Sequence, residues 1–251
     1  MITFPNPKLN IGLDILRKRP DGYHDIDTLM VPYEGMRDVL EIVPAEKPEM
    51  TLYGIPVDGD PMDNLCVRAW RIMADEFGIQ PVAIYLYKNI PSGAGLGGGS
   101  ADAAFTLVML NGMFGLGLEK PALAELAARL GSDCPFFIYN RPMLCRGRGE
   151  LMSPYEMNLS GFRFEVVVPQ VHVSTREAYA GVTPSMPEVP LEQCLARPVT
   201  EWRDCVNNDF EKSVFASHPQ LSEIKEDMYA RGAVYAAMSG SGSSIFGIFE
   251  E

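Results

Sequence analysis

Five of the seven residues from Gly93 to Gly99 are glycine, and Ser100-Ala101-Asp102 follows at once. Such a run costs backbone freedom on folding. Its use is access, because without side chains successive N–H groups can surround an anion. The start of a following helix adds unpaired N–H groups and the positive end of its dipole, and a phosphate is the natural ligand of that concavity. The segment is not the ordinary P-loop, which ends in Gly-Lys-Ser/Thr, since Gly99 leads into Ser100 with no lysine. Gly93, Gly95 and Gly98 fit a Gly-x-Gly-x-x-Gly expression, but the crowded Gly97-Gly98-Gly99 does not suit a tight dinucleotide crossover. A flexible surface loop is the plain alternative. The buried-looking strand before the run and the apolar helix after it argue against that.

Phosphoryl transfer also needs a polar group to orient the accepting hydroxyl and take its proton, and a cation to offset developing negative charge. Lys8 and Asp133 are of the right types. Their plainer readings are a solvent-facing strand lysine and a helix-capping carboxylate, and spacing alone does not set the distance between them.

The elements that must position these residues can be read from periodicity. Leu9, Ile11, Leu13 and Ile15 alternate with period two, so Lys8 and Asn10 share the opposite strand face. Pro20-Asp21-Gly22 is a turn that delivers Tyr23 and His24. Val39–Val43 and Thr51–Tyr53 read as strands. Asn64 to Phe77 reads as a helix that Gly78 stops. Val82–Tyr87 is a strand leading into the glycine run, and Ala101 to Phe114 a largely buried helix. A second helix runs from Pro121 to Leu130, and Ser132-Asp133-Cys134-Pro135 opens a short third one. Around 150–160 the pattern breaks into polar and turn-forming residues, which places a domain boundary between 157 and 158. Beyond it, Phe162–Val168 reads as a strand and Ser174 with Glu177 as a capping box. Pro184–Pro190 reads as a loop, and His218-Pro219 opens a helix ended by Gly232. Ala233–Ala237 and Ile245–Phe249 form two strands joined by Met238-Ser239-Gly240-Ser241-Gly242-Ser243-Ser244.

Composition narrows the function classes. The 251 residues are 47% hydrophobic and 22% charged, which suits a globule of one large or two modest domains. The charge of −12 repels nucleic acid backbones and anionic membranes, so neither is an expected partner. A small anionic substrate is compatible with a local pocket of backbone donors and one or two cations. The odd set Cys66, Cys134, Cys145, Cys194 and Cys205 has no C-x-x-C pair, which points to reduced thiols in a cytoplasmic protein and away from zinc. No export signal or membrane-spanning apolar stretch is visible. Monomer and homodimer stay equally open.

Three separated segments together resemble the GHMP small-molecule kinases. The first is Pro7-Lys8-Leu9-Asn10 with Arg19-Pro20-Asp21-Gly22-Tyr23-His24. The second is Pro91 to Ala104 with Gly131-Ser132-Asp133-Cys134-Pro135-Phe136-Phe137, and the third is Met238 to Ser244. The resemblance implies an α+β fold of two domains. Residues 1–157 would resemble domain 2 of ribosomal protein S5 and carry the nucleotide loop, and 158–251 would be ferredoxin-like. It implies ATP as phosphoryl donor with Mg²⁺. Within the superfamily the lysine, the Asp-Gly-Tyr-His segment and the Gly-Ser-Asp-Cys-Pro segment narrow the acceptor to a cytidine-diphosphate-linked methylerythritol. Its 2-hydroxyl would be phosphorylated in the non-mevalonate isoprenoid route.

On the same resemblance Asp133 is the catalytic base and Lys8 polarises its surroundings, with Asn10 in support. Pro91, Ser92, Gly93, Ala94, Gly95, Leu96, Gly97, Gly98 and Gly99 would cradle ATP phosphates, with Ser100 near phosphate or magnesium and Asn64 near adenine. His24 would bond the cytosine beside Tyr23, and Tyr179 would stack on that base, where its plain reading is a packed core tyrosine. Another GHMP alcohol kinase, or a catalytically silent nucleotide-binding regulator, are the other readings; retention of both Lys8 and Asp133 weighs against the second. Two departures stand out. Pro7 replaces the small residue usual before the lysine and stiffens the approach. The chain ends at Glu251, soon after the third segment, where members usually continue through another helix and strand. A natural short form, a truncation or a tail beyond the given residues would each account for it.

Overall fold

The computed structural model describes residues 1–251. The chain forms eleven strands and eight α-helices. The first half contains β1 (Ile2–Thr3), β2 (Lys8–Lys18), β3 (His24–Pro32), β4 (Val39–Pro44), β5 (Glu49–Gly54), α1 (Leu65–Phe77) and β6 (Val82–Lys88). Then come α2 (Gly98–Met113), α3 (Lys120–Ala128), α4 (Cys134–Tyr139), β7 (Met143–Gly147), β8 (Leu151–Pro154) and β9 (Phe162–Val167). The remainder holds α5 (Thr175–Ala180), α6 (Leu191–Leu195), α7 (Glu211–Ser217), α8 (Pro219–Ala230), β10 (Tyr235–Met238) and β11 (Ile245–Glu250). No helix is long and apolar enough to cross a membrane.

The elements group into two compact units, each discontinuous in sequence. The first comprises Met1–Lys8, Pro32–Ser92 and Gly97–Arg141. Its sheet has the order β1-β4-β6-β5, with β5 parallel to β6 and the other pairs antiparallel. Helices α1 and α2 pack together, and α4 packs on α2 and α3. Asn64 caps α1 by accepting from the Cys66 N–H at 2.9 Å, and Gly78 ends it at φ +64°. Helix α2 begins at Gly98, three residues earlier than its apolar pattern suggests, so two glycines of the run form its first turn.

The second unit comprises Leu9–Val31, Gly93–Leu96 and Pro142–Glu251. One sheet has the order β2-β3-β7-β8, and an antiparallel sheet has the order β10-β11-β9. Strands β7 and β8 extend the first sheet from β3, so the 157/158 boundary falls inside this unit's long C-terminal stretch. Strand β8 occupies the region whose polar residues read as a break.

Strand β2 is buried at every residue from Lys8 to Ile15, where alternation led to the expectation of one open face. In the second unit Leu13 and Ile15 join the apolar core. Gly12, at φ +71°, lies against Leu191 and Val206, which leaves no room for a side chain. The edge of β2 is closed by the chain at 207–209: Leu13 N–H donates to Asn207 O at 2.7 Å and Asp209 N–H to Leu13 O at 2.9 Å.

Candidate active site

In the first unit the lysine and the aspartate meet. Lys8 is 3% exposed, which corrects the reading of it as a solvent-facing lysine. Its Nζ lies 3.8 Å from Asp133 Oδ2. Asp133 precedes α4 in a helical conformation, φ −85° and ψ −16°, and its side chain makes no capping hydrogen bond. The capping role is therefore absent, and the carboxylate, about one-third exposed at 33%, is turned to Lys8 and solvent.

Both ends of this pair are braced. Asn6 Nδ2 donates to Asn140 Oδ1 at 3.2 Å and Asn140 Nδ2 donates back to Asn6 Oδ1 at 2.9 Å. Asn6 stands two residues before Lys8, and Asn140 ends the helix that Asp133 opens. Asn140 takes φ +46°, a left-handed conformation that asparagine tolerates better than most residues. Pro7 O accepts from Tyr33 N–H at 2.9 Å, so the stiff residue before Lys8 is tied down as well.

The glycine run adds its helical part to the same unit. Gly97 takes φ +70°, and a Cβ there would stand 3.1 Å from Phe137 and 3.3 Å from Lys8 Cγ. No side chain caps the start of α2, so its first N–H groups keep their capacity for an anion. The Ser100 hydroxyl bonds with the Cys134 thiol, which brings the start of α2 to the start of α4, where Asp133 sits. Burial, opposed by that bond and helped by the charge of Asp133, raises the Cys134 thiol to about 11, so it stays protonated at neutral pH.

The earlier part of the run, Gly93–Leu96, packs within the second unit. Ser239 Oγ donates to Gly95 O at 3.0 Å and accepts from Asn10 N–H at 3.2 Å. Ser244 N–H donates to Ala94 O at 3.1 Å. Gly95 is required for contact as well as conformation: at φ +78° a Cβ would run into the Ser239 carbonyl oxygen. The Asn10 side chain donates to Thr28 Oγ1 at 3.0 Å, and Thr28 Oγ1 donates to Gly12 O at 2.6 Å.

Comparison with known proteins decides the family. Residues 64–141 match the GHMP kinases N terminal domain and 191–251 the GHMP kinases C terminal domain. A 4-diphosphocytidyl-2-C-methyl-D-erythritol kinase from Bacteroides fragilis is 51% identical over 99% of this chain and 92% of its own. The chain belongs to this kinase family. One from Solidesulfovibrio magneticus is 39% identical over 100% of this chain and 92% of its own. A crystal structure of 4-(cytidine 5′-diphospho)-2C-methyl-D-erythritol kinase superposes with a TM-score of 0.83 at 34% identity, covering 98% of this chain and 89% of that one. Methanococcus jannaschii mevalonate kinase shares the fold, with a TM-score of 0.70 at 13% identity over 100% of this chain and 90% of that one.

For this kinase family the remaining expected residues fall as follows. His24 and Tyr179 stack in the second unit with ring centroids 4.7 Å apart and planes 22° from parallel. Tyr179 also meets Phe210 edge-on at 4.8 Å, so it is packed on one side and stacked on the other. Burial and then the charge of Lys18 hold the His24 imidazole below its ordinary value, so it is neutral at pH 7. Tyr23 is 57% exposed, with the Arg148 guanidinium 5.1 Å from its ring centre. Asn64 spends its side-chain oxygen on the α1 cap, which leaves its amide NH₂ for other partners. Ser239, Thr28, Asn6 and Asn140 were not among the expected residues. Of these only Ser239 carried a signal, its place in the glycine–serine turn.

Proposed function

We propose that the protein transfers the γ-phosphoryl group of ATP to the 2-hydroxyl of 4-diphosphocytidyl-2-C-methyl-D-erythritol, giving the 2-phosphate and ADP. The observation that carries the reading is the meeting of Lys8, Asp133 and the open start of α2 in one unit. The acceptor oxygen bonds to the γ-phosphorus as the bond to the β–γ bridging oxygen breaks. Asp133 orients the hydroxyl and takes its proton, and ADP leaves with the bridging electrons. Lys8 offsets charge on the transferring oxygens from a buried position, where a fixed ammonium needs no reorganisation. The N–H groups from Gly97 to Ser100 receive the donor phosphates.

No set of three or more His, Cys, Asp and Glu side chains is placed to hold a metal ion. A magnesium ion arriving with the nucleotide fits this donor-poor site, since Mg²⁺ commonly takes one or two protein oxygens besides phosphate. Ser100 Oγ is the residue that would hold it, and the ion would neutralise phosphate charge.

On the acceptor side, Tyr179 and His24 are assigned to the cytosine, one by stacking and the other at its polar edge. Tyr23 and Asn10 complete the acceptor residues. The five free thiols, four of them buried, suit a cytoplasmic enzyme.

The test is incubation with ATP, Mg²⁺ and the cytidine-linked substrate, with phosphorus NMR to place the new phosphate and a panel of other alcohols alongside. A phosphomonoester at the 2-position is expected. ADP release without it, or equal turnover of an alcohol lacking cytidine, would reject the assignment.

A further inference from the structure

Lys88 is the last residue of β6, and the chain runs from it through Asn89-Ile90-Pro91-Ser92 into the glycine run. Its side chain turns inward and is 3% exposed. The ammonium bonds Asp38, 0% exposed, and lies 2.7 Å from Asp102 Oδ2, with Asp102 itself 2% exposed. The other oxygen of Asp38 accepts from Asn89 N–H at 2.6 Å and Ile90 N–H at 2.8 Å. The Asp38 N–H donates to Pro5 O at 2.9 Å, in the segment that leads to Lys8. All of these residues belong to the first unit. One buried ammonium thus joins the approach to Lys8, the start of β4, the exit of β6 and helix α2.

This arrangement is expensive as a device for stability. Two carboxyl groups share one ammonium in the interior, and Asp102 Oδ1 is buried with no hydrogen-bond partner. Apolar side chains of similar size commonly stabilise such a position as well or better. Burial pushes the Asp102 carboxyl up, against the pull of Lys88. What the triad does set is geometry under the phosphate cradle. A Cβ on Gly98, the first residue of α2, would stand 2.7 Å from Ile90 Cγ2 and 3.4 Å from Lys88 Nζ. The start of the helix rests directly on the clamped segment.

We propose that Lys88, Asp38 and Asp102 are positioning residues for the phosphoryl donor. The triad holds the first turn of α2 at a fixed height over the chain entering the glycine run, so its N–H groups face the phosphates while none of the three side chains touches the nucleotide. The proposal rests on the reading of Gly97–Ser100 as the phosphate cradle.

Positioning and simple charge act in opposite directions at Asp102. Removing whatever negative charge Asp102 carries near the cradle would by its field alone tighten binding of an anion, and never weaken it. Losing the clamp would weaken it. For Asp102→Ala the KM for ATP is expected to rise about tenfold, the scale of one charged hydrogen bond. The KM for the cytidine-linked acceptor should stay within about twofold, since only donor binding is disturbed. Asp102→Asn keeps an oxygen acceptor for Lys88 and is expected to recover most of the ATP affinity. An unchanged or lower ATP KM in Asp102→Ala, or equal rises in both KM values, overturns the proposal. If that variant does not accumulate folded, Lys88→Arg gives the same reading, since it keeps the charge and alters the geometry. Its ATP KM should then rise alone, and a parental value there overturns the proposal too. Failure of the parent protein to phosphorylate the acceptor would instead remove the functional reading on which this rests.

Discussion

Replacing Asp133 by asparagine keeps the shape of the side chain and removes the charge that faces Lys8. At 3.8 Å and an effective dielectric near 20, the pair interacts by about 4 kcal/mol. That attraction holds the two groups in place in the ground state and does not itself convert into rate, because the pair loosens as Asp133 takes a proton. Solvent at the one-third exposed carboxylate screens part of it, and the rate effect is the general-base factor lost with the proton acceptor. A fall in kcat of about 10²–10⁴-fold is therefore expected. The ATP KM should change little, because the N–H groups of α2 are untouched.

The partner variant should be Lys8→Met rather than Lys8→Ala. Lys8 is buried, with its stem beside Gly97, so alanine would add a packing loss to the loss of charge. If the two residues serve one transition state, the double variant will be little slower than the slower single one. The assay is coupled ADP release at saturating substrates, with melting temperatures to show that each variant is folded. An Asp133→Asn kcat within about threefold of the parent would deny the carboxylate any part in proton transfer. Effects that multiply in the double variant would place the residues in separate roles.

Other perturbations reach the supporting structure. Asn140→Gly keeps the left-handed backbone but removes the amide pair with Asn6; it should cost about 1 kcal/mol in a denaturation series. It should also lower kcat without moving the ATP KM, and an unchanged kcat would refute the brace. Tyr179→Ala, read by titration calorimetry with each ligand separately, should weaken binding of the cytidine-linked substrate by about 1–3 kcal/mol and leave ATP binding nearly intact; selective loss of ATP affinity would overturn its assignment. Asp14 is raised from 3.8 to about 7 by burial first, then by the charges of Asp209 and Asp27. Because the folded value exceeds the unfolded one, the stability linked to this group is complete below about pH 4, is lost as pH climbs to about 7, and is constant above. Asp14→Asn should therefore raise stability at pH 8, by about 4 kcal/mol at most. Melting curves at pH 5 and 8 that show no widening gain would contradict it.

The motifs were legible because each is local. The strand into the glycine run, the Gly78 stop of α1 and the Ser174 cap of α5 depend on residues a few positions apart, and they stand where spacing placed them. The states of Lys8 and Asp133 were not legible. Period two assigns Lys8 to the face opposite Leu9 but does not say what covers that face, and here both faces are covered. Asp133 has the sequence context of a cap, and only its backbone angles reveal that it does not act as one. Strand β8 was hidden for a similar reason: Leu151–Pro154 has no alternation of its own and is a strand because β7 offers it an edge. The Lys88 triad did leave a trace, a lysine closing an apolar strand and an aspartate inside an alanine-rich helix. Charges in otherwise buried elements must find each other, but which ones pair depends on register.

The site also shows how an acidic protein can be built to receive a triphosphate. A net charge of −12 acts at long range, where salt screens it beyond about 8 Å. At the proposed phosphate cradle the donors would be backbone N–H groups with no competing side-chain cap and one lysine removed from solvent. Those N–H groups bring partial positive charge that does not depend on pH and needs no counter-carboxylate. Lys8 alone has one, and that carboxylate is the group assigned to take the acceptor's proton. Under the proposed roles, charge neutralisation and proton transfer would be coupled through this ion pair: as Asp133 gains a proton, its hold on Lys8 would weaken in favour of the phosphoryl oxygens. On that proposal the pull of Lys8 on the phosphoryl oxygens would grow as negative charge shifts toward the leaving group, which a lysine paired to a spectator carboxylate would not achieve.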